Sequence, residues 1–84
     1  QSEDALASED RAREALLMGL RLHEGVDLAR IAGQSGVALS RLVDESAITQ
    51  LTGIGLLRHH GTQLQVTPAG LLLLDAILPQ VVAI

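Results

Sequence analysis

The sequence lacks cysteine and all three aromatic residues. Without cysteine, the chain can form no disulfide, hold no iron–sulfur cluster through its own thiolates and offer no thiol nucleophile. Without aromatic residues, its core has to be built from Leu, Val, Ile and Ala. A length of 84 residues with 48% hydrophobic content is enough for one domain and excludes a second.

Positive charge is also scarce. The six basic residues are all arginine, they form no block, and the net charge is −4. The attraction that nucleic acid binding requires is therefore weak, and an anionic lipid surface is disfavoured for the same reason. No apolar run reaches the roughly 18 residues that a membrane-spanning helix needs. We therefore expect a soluble, cytoplasmic protein with neither nucleic acid nor membrane as a partner.

The polar start and the apolar end of the chain frame one domain. Ser8, followed by two acidic residues, is a typical helix start, and the apolar spacing predicts that this helix continues to about Leu22. Residues 1–7 are then expected to be a flexible lead-in, 8–78 the folded domain and 79–84 an apolar tail.

Two further helices are predicted from capping residues. Asp27 precedes an apolar-periodic segment over 28–34, and Asp44 precedes a second one over 45–53. An Asp side chain at these positions accepts hydrogen bonds from the free amides of the first helical turn. The intervening segment 37–43 is short, and we expect a turn there.

A change to alternating apolar and polar residues predicts a β-hairpin over 57–66, with Gly61 in its turn. Thr67 and Pro68 follow as the cap and first residue of a closing helix. Four consecutive leucines at 71–74 predict that this helix is buried on more than one side.

Pro79 is expected to end or kink the closing helix near Ile77, because proline disrupts helix interiors. Three helices, a hairpin and a closing helix, in this order, are the arrangement of a winged helix, a variation on the helix-turn-helix. The predicted fold class is therefore mainly α with a small β-hairpin, of winged-helix type. The third helix carries no Lys or Arg, and Arg58 is a lone basic residue in the wing, so base readout is disfavoured.

The histidines offer no clear chemical site. His59 and His60 are adjacent on a predicted strand, so they point to opposite faces and cannot ligate one metal together without distortion. His23 lies at a helix end, where an imidazole is often just a favourable polar group. No nucleophile–base spacing, phosphate loop or His-Glu metal motif occurs, and we expect no catalytic, cofactor-binding or metal-binding residue in the chain.

Leu17 and Met18 break the apolar pattern of the first helix, because both project on its charged side and flank Arg21. Two interpretations are open. Arg21 can pair with Glu14 or Glu24 while its stem covers the two apolar side chains. Alternatively, the mixed patch is an interface with another domain.

The segment over residues 11–27 reads RAREALLMGLRLHEGVD. It resembles the E-x-L-x-x-G-L-R-L-x-E-G-I-D stretch in the C-terminal domain of oxygen-independent coproporphyrinogen III oxidase-like proteins. The segments GLL at 55–57, LQVTPAG at 64–70 and LLDAIL at 73–78 are similar to the end of that domain. The resemblance covers residues 8–78, and the matching motif positions are Gly19, Leu20, Arg21, Glu24 and Gly25.

The resemblance implies a parent of the radical S-adenosylmethionine class, in which a barrel domain carries a cysteine triplet that holds a [4Fe-4S] cluster. In that family the barrel oxidatively decarboxylates the propionates of coproporphyrinogen III to vinyl groups, or, in the haem-chaperone branch, the protein binds haem. None of those cysteines lies in this chain. His23 occupies a variable motif position, so the resemblance gives it no role as a haem ligand.

Together, the residues and the resemblance predict a non-catalytic accessory domain that docks on the barrel domain of its parent. The expected interdomain contacts are made by the closing helix and by Leu17, Met18, Arg21, Glu24 and Gly25. Haem or porphyrin is an expected partner only with the parent. Two alternatives are a fragment of a winged-helix regulator that dimerises through its last helix, and a self-contained haem carrier that uses its histidines.

Overall fold

The fold is mainly helical and contains a small three-stranded antiparallel sheet. In the computed structural model, the described residues are 2–84 for the backbone and 7–84 for the side chains. The elements in chain order are α1 (Ser2–Gly19), β1 (Val26–Asp27), α2 (Leu28–Ser35), α3 (Leu39–Leu42), α4 (Glu45–Gly53), β2 (Leu57–His60), β3 (Gln63–Val66), α5 (Pro68–Leu71) and α6 (Leu74–Val81). The predicted mainly helical class with a hairpin is confirmed.

Local capping bonds fix the starts of three helices, as predicted. Asp27 Oδ1 accepts from the Ala29 amide at 3.0 Å, and Asp44 Oδ1 accepts from the Ser46 amide at 3.0 Å. Thr67 Oγ1 accepts from the Gly70 amide at 3.1 Å. These bonds satisfy amides that have no partner within their helix.

The hairpin β2–β3 forms at the predicted place, with Leu57 opposite Val66 and His60 opposite Gln63. Gly61 in its turn has φ +61°, a value that glycine adopts without steric cost. Strand β1 was not predicted, because two residues are too short to show alternation. It pairs antiparallel with β3, so the strand order is β1-β3-β2.

A single aliphatic core lies between the helices and the sheet. Its largest fully buried side chains come from α1 and the turn after it, and from α2, α3, β3 and α6: Leu16, Leu20, Leu28, Leu42, Leu64, Ile77 and Val81. No buried polar or charged residue occurs among the described side chains. The core side chains that the structure describes therefore stabilise the fold through apolar burial.

Both ends of the first helix differ from the prediction. Helix α1 begins at Ser2, so residues 2–7 are helical and the expected start at Ser8 is wrong. The helix ends at Gly19 instead of Leu22, because the Leu22 amide bonds to the Gly19 carbonyl and closes a tighter turn. Leu22, the expected last residue of this helix, therefore lies beyond it and is 53% exposed. The expected turn over 37–43 contains one helical turn, α3.

The C-terminal part also departs from the prediction. Pro79 lies inside α6, which continues to Val81, so the helix does not end near Ile77. Val81 is fully buried and its carbonyl accepts from the Asp44 amide at 2.8 Å, while Val82 forms a bridge with Val43. These long-range contacts outweigh the helix-breaking tendency of proline. Residues 79–84 are thus packed against the domain.

Candidate functional site

The leucine run at 71–74 does not lie in one helix. Leu73 has φ −119° and ψ 22°, which breaks the helix between α5 and α6. Gly70 packs so closely that a Cβ there would overlap the Leu56 carbonyl oxygen, which fixes α5 against the sheet. Helix α6, which follows the break, places Ile77 and Val81 in the core.

Three leucines are exposed at this break. Leu71, Leu72 and Leu73 are 42%, 85% and 50% exposed, so the prediction that the closing helix is buried on more than one side is wrong for these residues. Three consecutive leucines in contact with water form an apolar patch of the kind that marks an interaction site.

Arg21 lies beside this patch. It lines a cleft of about 440 Å³ together with residues 71–76. Its amide donates to the Met18 carbonyl at 3.3 Å, so Arg21 and Met18 share the turn that ends α1. Met18 is 66% exposed. We call Arg21, Leu71, Leu72 and Leu73 the leucine–arginine surface.

The ion pair that the first interpretation gave to Arg21 is absent from the described side chains. Among the residues whose side chains are described, Arg21 forms no ion pair with Glu14 or Glu24; the ion pair that is present joins Arg41 to Glu9. The Arg21 side chain is exposed. Its guanidinium is therefore available to a group outside the described chain.

Leu17 is only half-buried and packs against the core instead of projecting into water. It lines a small groove with Leu78, Pro79, Val82 and Ile84, together with Arg13. Part of its apolar surface is thus covered by the chain's own C-terminal segment. Of the expected contact residues on α1, Met18 is the freely exposed apolar one.

Glu24 and Gly25 form the turn that leads into β1. Gly25 has φ +74°, and a Cβ there would overlap the Leu64 carbonyl oxygen of β3. The Gln63 side-chain amide donates to the Glu24 carbonyl at 2.7 Å. The motif glycine Gly25 therefore has an internal packing role, while the Glu24 side chain is exposed.

Gly19, the other motif glycine, has a similar role, because a Cβ there would overlap Val26 Cγ1. Leu20, the residue after it, is fully buried. The motif thus divides into residues that seat the end of α1 on the sheet and residues that face outward. Arg21 and Glu24 are the outward ones.

The histidines lie apart from any cluster of metal ligands. His23, His59 and His60 are exposed, and no group of three or more His, Cys, Asp or Glu side chains in the searched part of the chain could hold a metal ion.

A hydrogen bond from Thr62 Oγ1 lowers the pKa of Asp27 below its ordinary value. This carboxylate is occupied in capping α2.

The outward side of α4 is acidic and polar. The residues exposed there include no basic residue; they are Glu45, Ser46, Thr49, Gln50 and Thr52.

No helix within the described residues has the length and apolarity to cross a membrane.

Comparison with known proteins agrees with the motif over residues 11–27. The family model described as the HemN C-terminal domain matches residues 6–73, which is most of the 84-residue chain. No curated protein and no solved structure matched. The resemblance read from the sequence is confirmed by the family match, and the chain belongs to the HemN C-terminal domain family.

Proposed function

We propose that this chain is a non-catalytic winged-helix domain that docks on the barrel domain of its parent, a coproporphyrinogen III oxidase-like radical S-adenosylmethionine protein. The single observation that carries the proposal is the leucine–arginine surface. Leu72, the middle one of its three leucines, has 85% of its surface exposed. Burial of such a surface against a second domain removes apolar area from water and stabilises the docked state.

The winged-helix assignment is supported by the order of elements. Helices α2 and α4 follow a first helix, and the hairpin β2–β3 follows α4 in the place of a wing. Strand β1, between α1 and α2, adds to the hairpin to give the order β1-β3-β2. This order is also compatible with a DNA-binding regulator, but the exposed face of α4 lacks the cations that meet phosphate.

The chemistry of the parent is proposed from family membership. A [4Fe-4S] cluster requires thiolate ligands, and this chain contains no cysteine, so its residues do not fit the cluster. The cluster and S-adenosylmethionine would therefore be bound by the barrel domain in the cytoplasm. Both oxidase and haem-chaperone parents are consistent with a docking role for this domain.

The test uses the full-length parent and measures hydrogen exchange of the amides at residues 71–74. Leu72→Glu should speed exchange there at least about tenfold, since burial of a leucine side chain contributes about 1.5–3 kcal/mol and each 1.4 kcal/mol is a factor of ten. Thr49→Glu, which adds the same charge to the exposed face of α4, is the matched control and should change nothing.

If exchange at residues 71–74 is slow in the parent and stays equally slow in Leu72→Glu, docking through this surface is contradicted. Exchange as fast in the unmodified parent as in the variant would show that the surface is not covered at all. In either case a salt-dependent DNA titration, with Thr49→Glu as the sensitive variant, would test the regulator alternative.

A further inference from the structure

One oxygen atom joins the turn of the hairpin to the start of α2. Asp27 Oδ1 accepts from the Ala29 amide at 3.0 Å and from the Arg30 amide at 3.4 Å, and these bonds cap α2. The same atom accepts from Thr62 Oγ1 at 2.9 Å. The charge of a carboxylate strengthens the hydrogen bonds that it accepts. The helix start and the hairpin turn therefore share one acceptor.

A backbone hydrogen bond closes the same junction. The Leu28 amide donates to the Thr62 carbonyl at 2.8 Å. Leu28 is the first residue of α2, so its amide has no partner within the helix. Thr62 thus donates to the N-cap residue Asp27 and accepts from the residue that follows it. Displacement of Thr62 would break both bonds at once.

Little else ties the turn to α2. Gly61 and Thr62, the two residues of the turn, are exposed, so apolar burial does not hold them in place. The neighbouring side-chain bonds hold strand β3 instead, because Gln63 donates to the Glu24 carbonyl and Gln65 to the His23 carbonyl. Within the described part of the chain, the hydrogen bonds from the turn to the start of α2 all involve Thr62.

We propose that Asp27 and Thr62 form a latch that couples the hairpin turn to the first turn of α2, so that the two open and close together. Because coupling between two sites is reciprocal, displacement of the turn loosens the start of α2, and fraying of α2 releases the turn. The latch gives Asp27 a second role besides capping α2. It is a property of this domain and does not depend on the proposed docking surface.

The test is amide hydrogen exchange in the chain, followed residue by residue by nuclear magnetic resonance. The measured quantity is the exchange rate at residues 28–32 divided by that of the Leu20 amide. The Leu20 amide bonds to the Leu16 carbonyl at the end of α1, so it reports on the rest of the fold. Thr62→Val, which removes the hydroxyl, should raise this ratio about 2- to 10-fold, the range expected for the loss of one hydrogen bond.

Two variants control for the substitution itself. Thr62→Ser restores the hydroxyl and should return the ratio to that of the unmodified chain. Thr49→Val removes an exposed hydroxyl that donates to the Glu45 carbonyl within α4, and it should leave the ratio unchanged. An unchanged ratio in Thr62→Val, or an equal rise in Thr49→Val, would overturn the latch.

The reciprocal variant lies in α2. Ala29→Gly disfavours the helix at an exposed position of its first turn, and we expect it to speed exchange of the Gln63 amide, next to the hairpin turn, relative to Leu20. Ala76→Gly, at an exposed position of α6, is the matched control and should not. No response of Gln63 to Ala29→Gly would show that opening is not shared, which also overturns the latch.

Titration of the Asp27 carboxyl separates a missing bond from a bond that transmits nothing. The hydrogen bond from Thr62 is the main cause that lowers the pKa of Asp27, so Thr62→Val should raise this pKa, while Arg30 acts on it as before. A raised pKa together with faster exchange at residues 28–32 is the expected result. A raised pKa with unchanged exchange would mean that the bond exists without coupling the two elements, and the latch would be overturned.

Discussion

Replacement of Gly25 by alanine is expected to destabilise the domain far more than the same replacement of Gly36. The two glycines have nearly the same backbone conformation, φ +74° and φ +76°. An alanine forced into this left-handed region costs about 1–2 kcal/mol. Gly36→Ala should cost no more than that, because no atom lies within 4 Å of a Cβ at Gly36.

At Gly25 the added Cβ also meets strand β3. It would overlap the Leu64 carbonyl oxygen and lie 2.7 Å from Gln65 Cγ and 2.9 Å from Gln65 Cα. Backbone atoms cannot rotate away, so β1 and β3 must separate where Val26 pairs with Leu64. Such overpacking adds about 1–3 kcal/mol, for a total of about 2–5 kcal/mol.

That loss is large for this chain. A domain of 84 residues has a total free energy of unfolding of about 4–13 kcal/mol. The measurement is urea denaturation followed by far-ultraviolet circular dichroism, because the chain has no Trp or Tyr for fluorescence. Equal urea midpoints of unfolding for Gly25→Ala and Gly36→Ala would refute the packing role of Gly25. Gly25 would then again be a candidate for the interdomain contact.

Two further predictions concern the cap of α2 and the core. Thr62 lowers the pKa of Asp27, so the carboxylate adds stability above its unfolded pKa of about 3.9, and this stability is lost as pH falls through the lower folded value. Asp27→Asn should therefore flatten the acidic part of a plot of urea midpoint against pH. An unchanged acidic part would contradict the lowering of the Asp27 pKa by the hydrogen bond from Thr62. Leu20→Ala, at a fully buried position, should lower the free energy of unfolding by about 2–5 kcal/mol. Leu22→Ala, at a 53% exposed position, is its control, and similar losses for both would contradict the observed end of α1.

The elements that sequence reasoning placed well are those fixed by neighbours in the chain. Helix α4 was predicted over the residues it occupies, because Asp44 caps it through bonds to amides two and three residues away. The hairpin was predicted for a similar reason, since Gly61 at a positive φ joins two alternating segments. Interactions of such short range can be predicted from the types of neighbouring residues.

The candidate site was predictable only in part. Met18 broke the apolar pattern of α1, and the structure places it in water, 66% exposed. Leu17 broke the same pattern, but the chain's own C-terminal segment partly covers it. Pattern reasoning can identify an apolar residue on a polar face, but it cannot tell which distant segment of the chain covers that residue.

The helical class, the hairpin, three helix starts and the family follow from local features, because caps, turns and motifs depend on residues close together in the chain. The course of α6 through Pro79 depends instead on long-range contacts, since Val81 is anchored in the core and bonded to Asp44. The break of the leucine run at Leu73 and the exposure of Leu72 likewise depend on packing in three dimensions. These outcomes depend on groups more than thirty residues apart or on competing directions of packing, which no local pattern encodes.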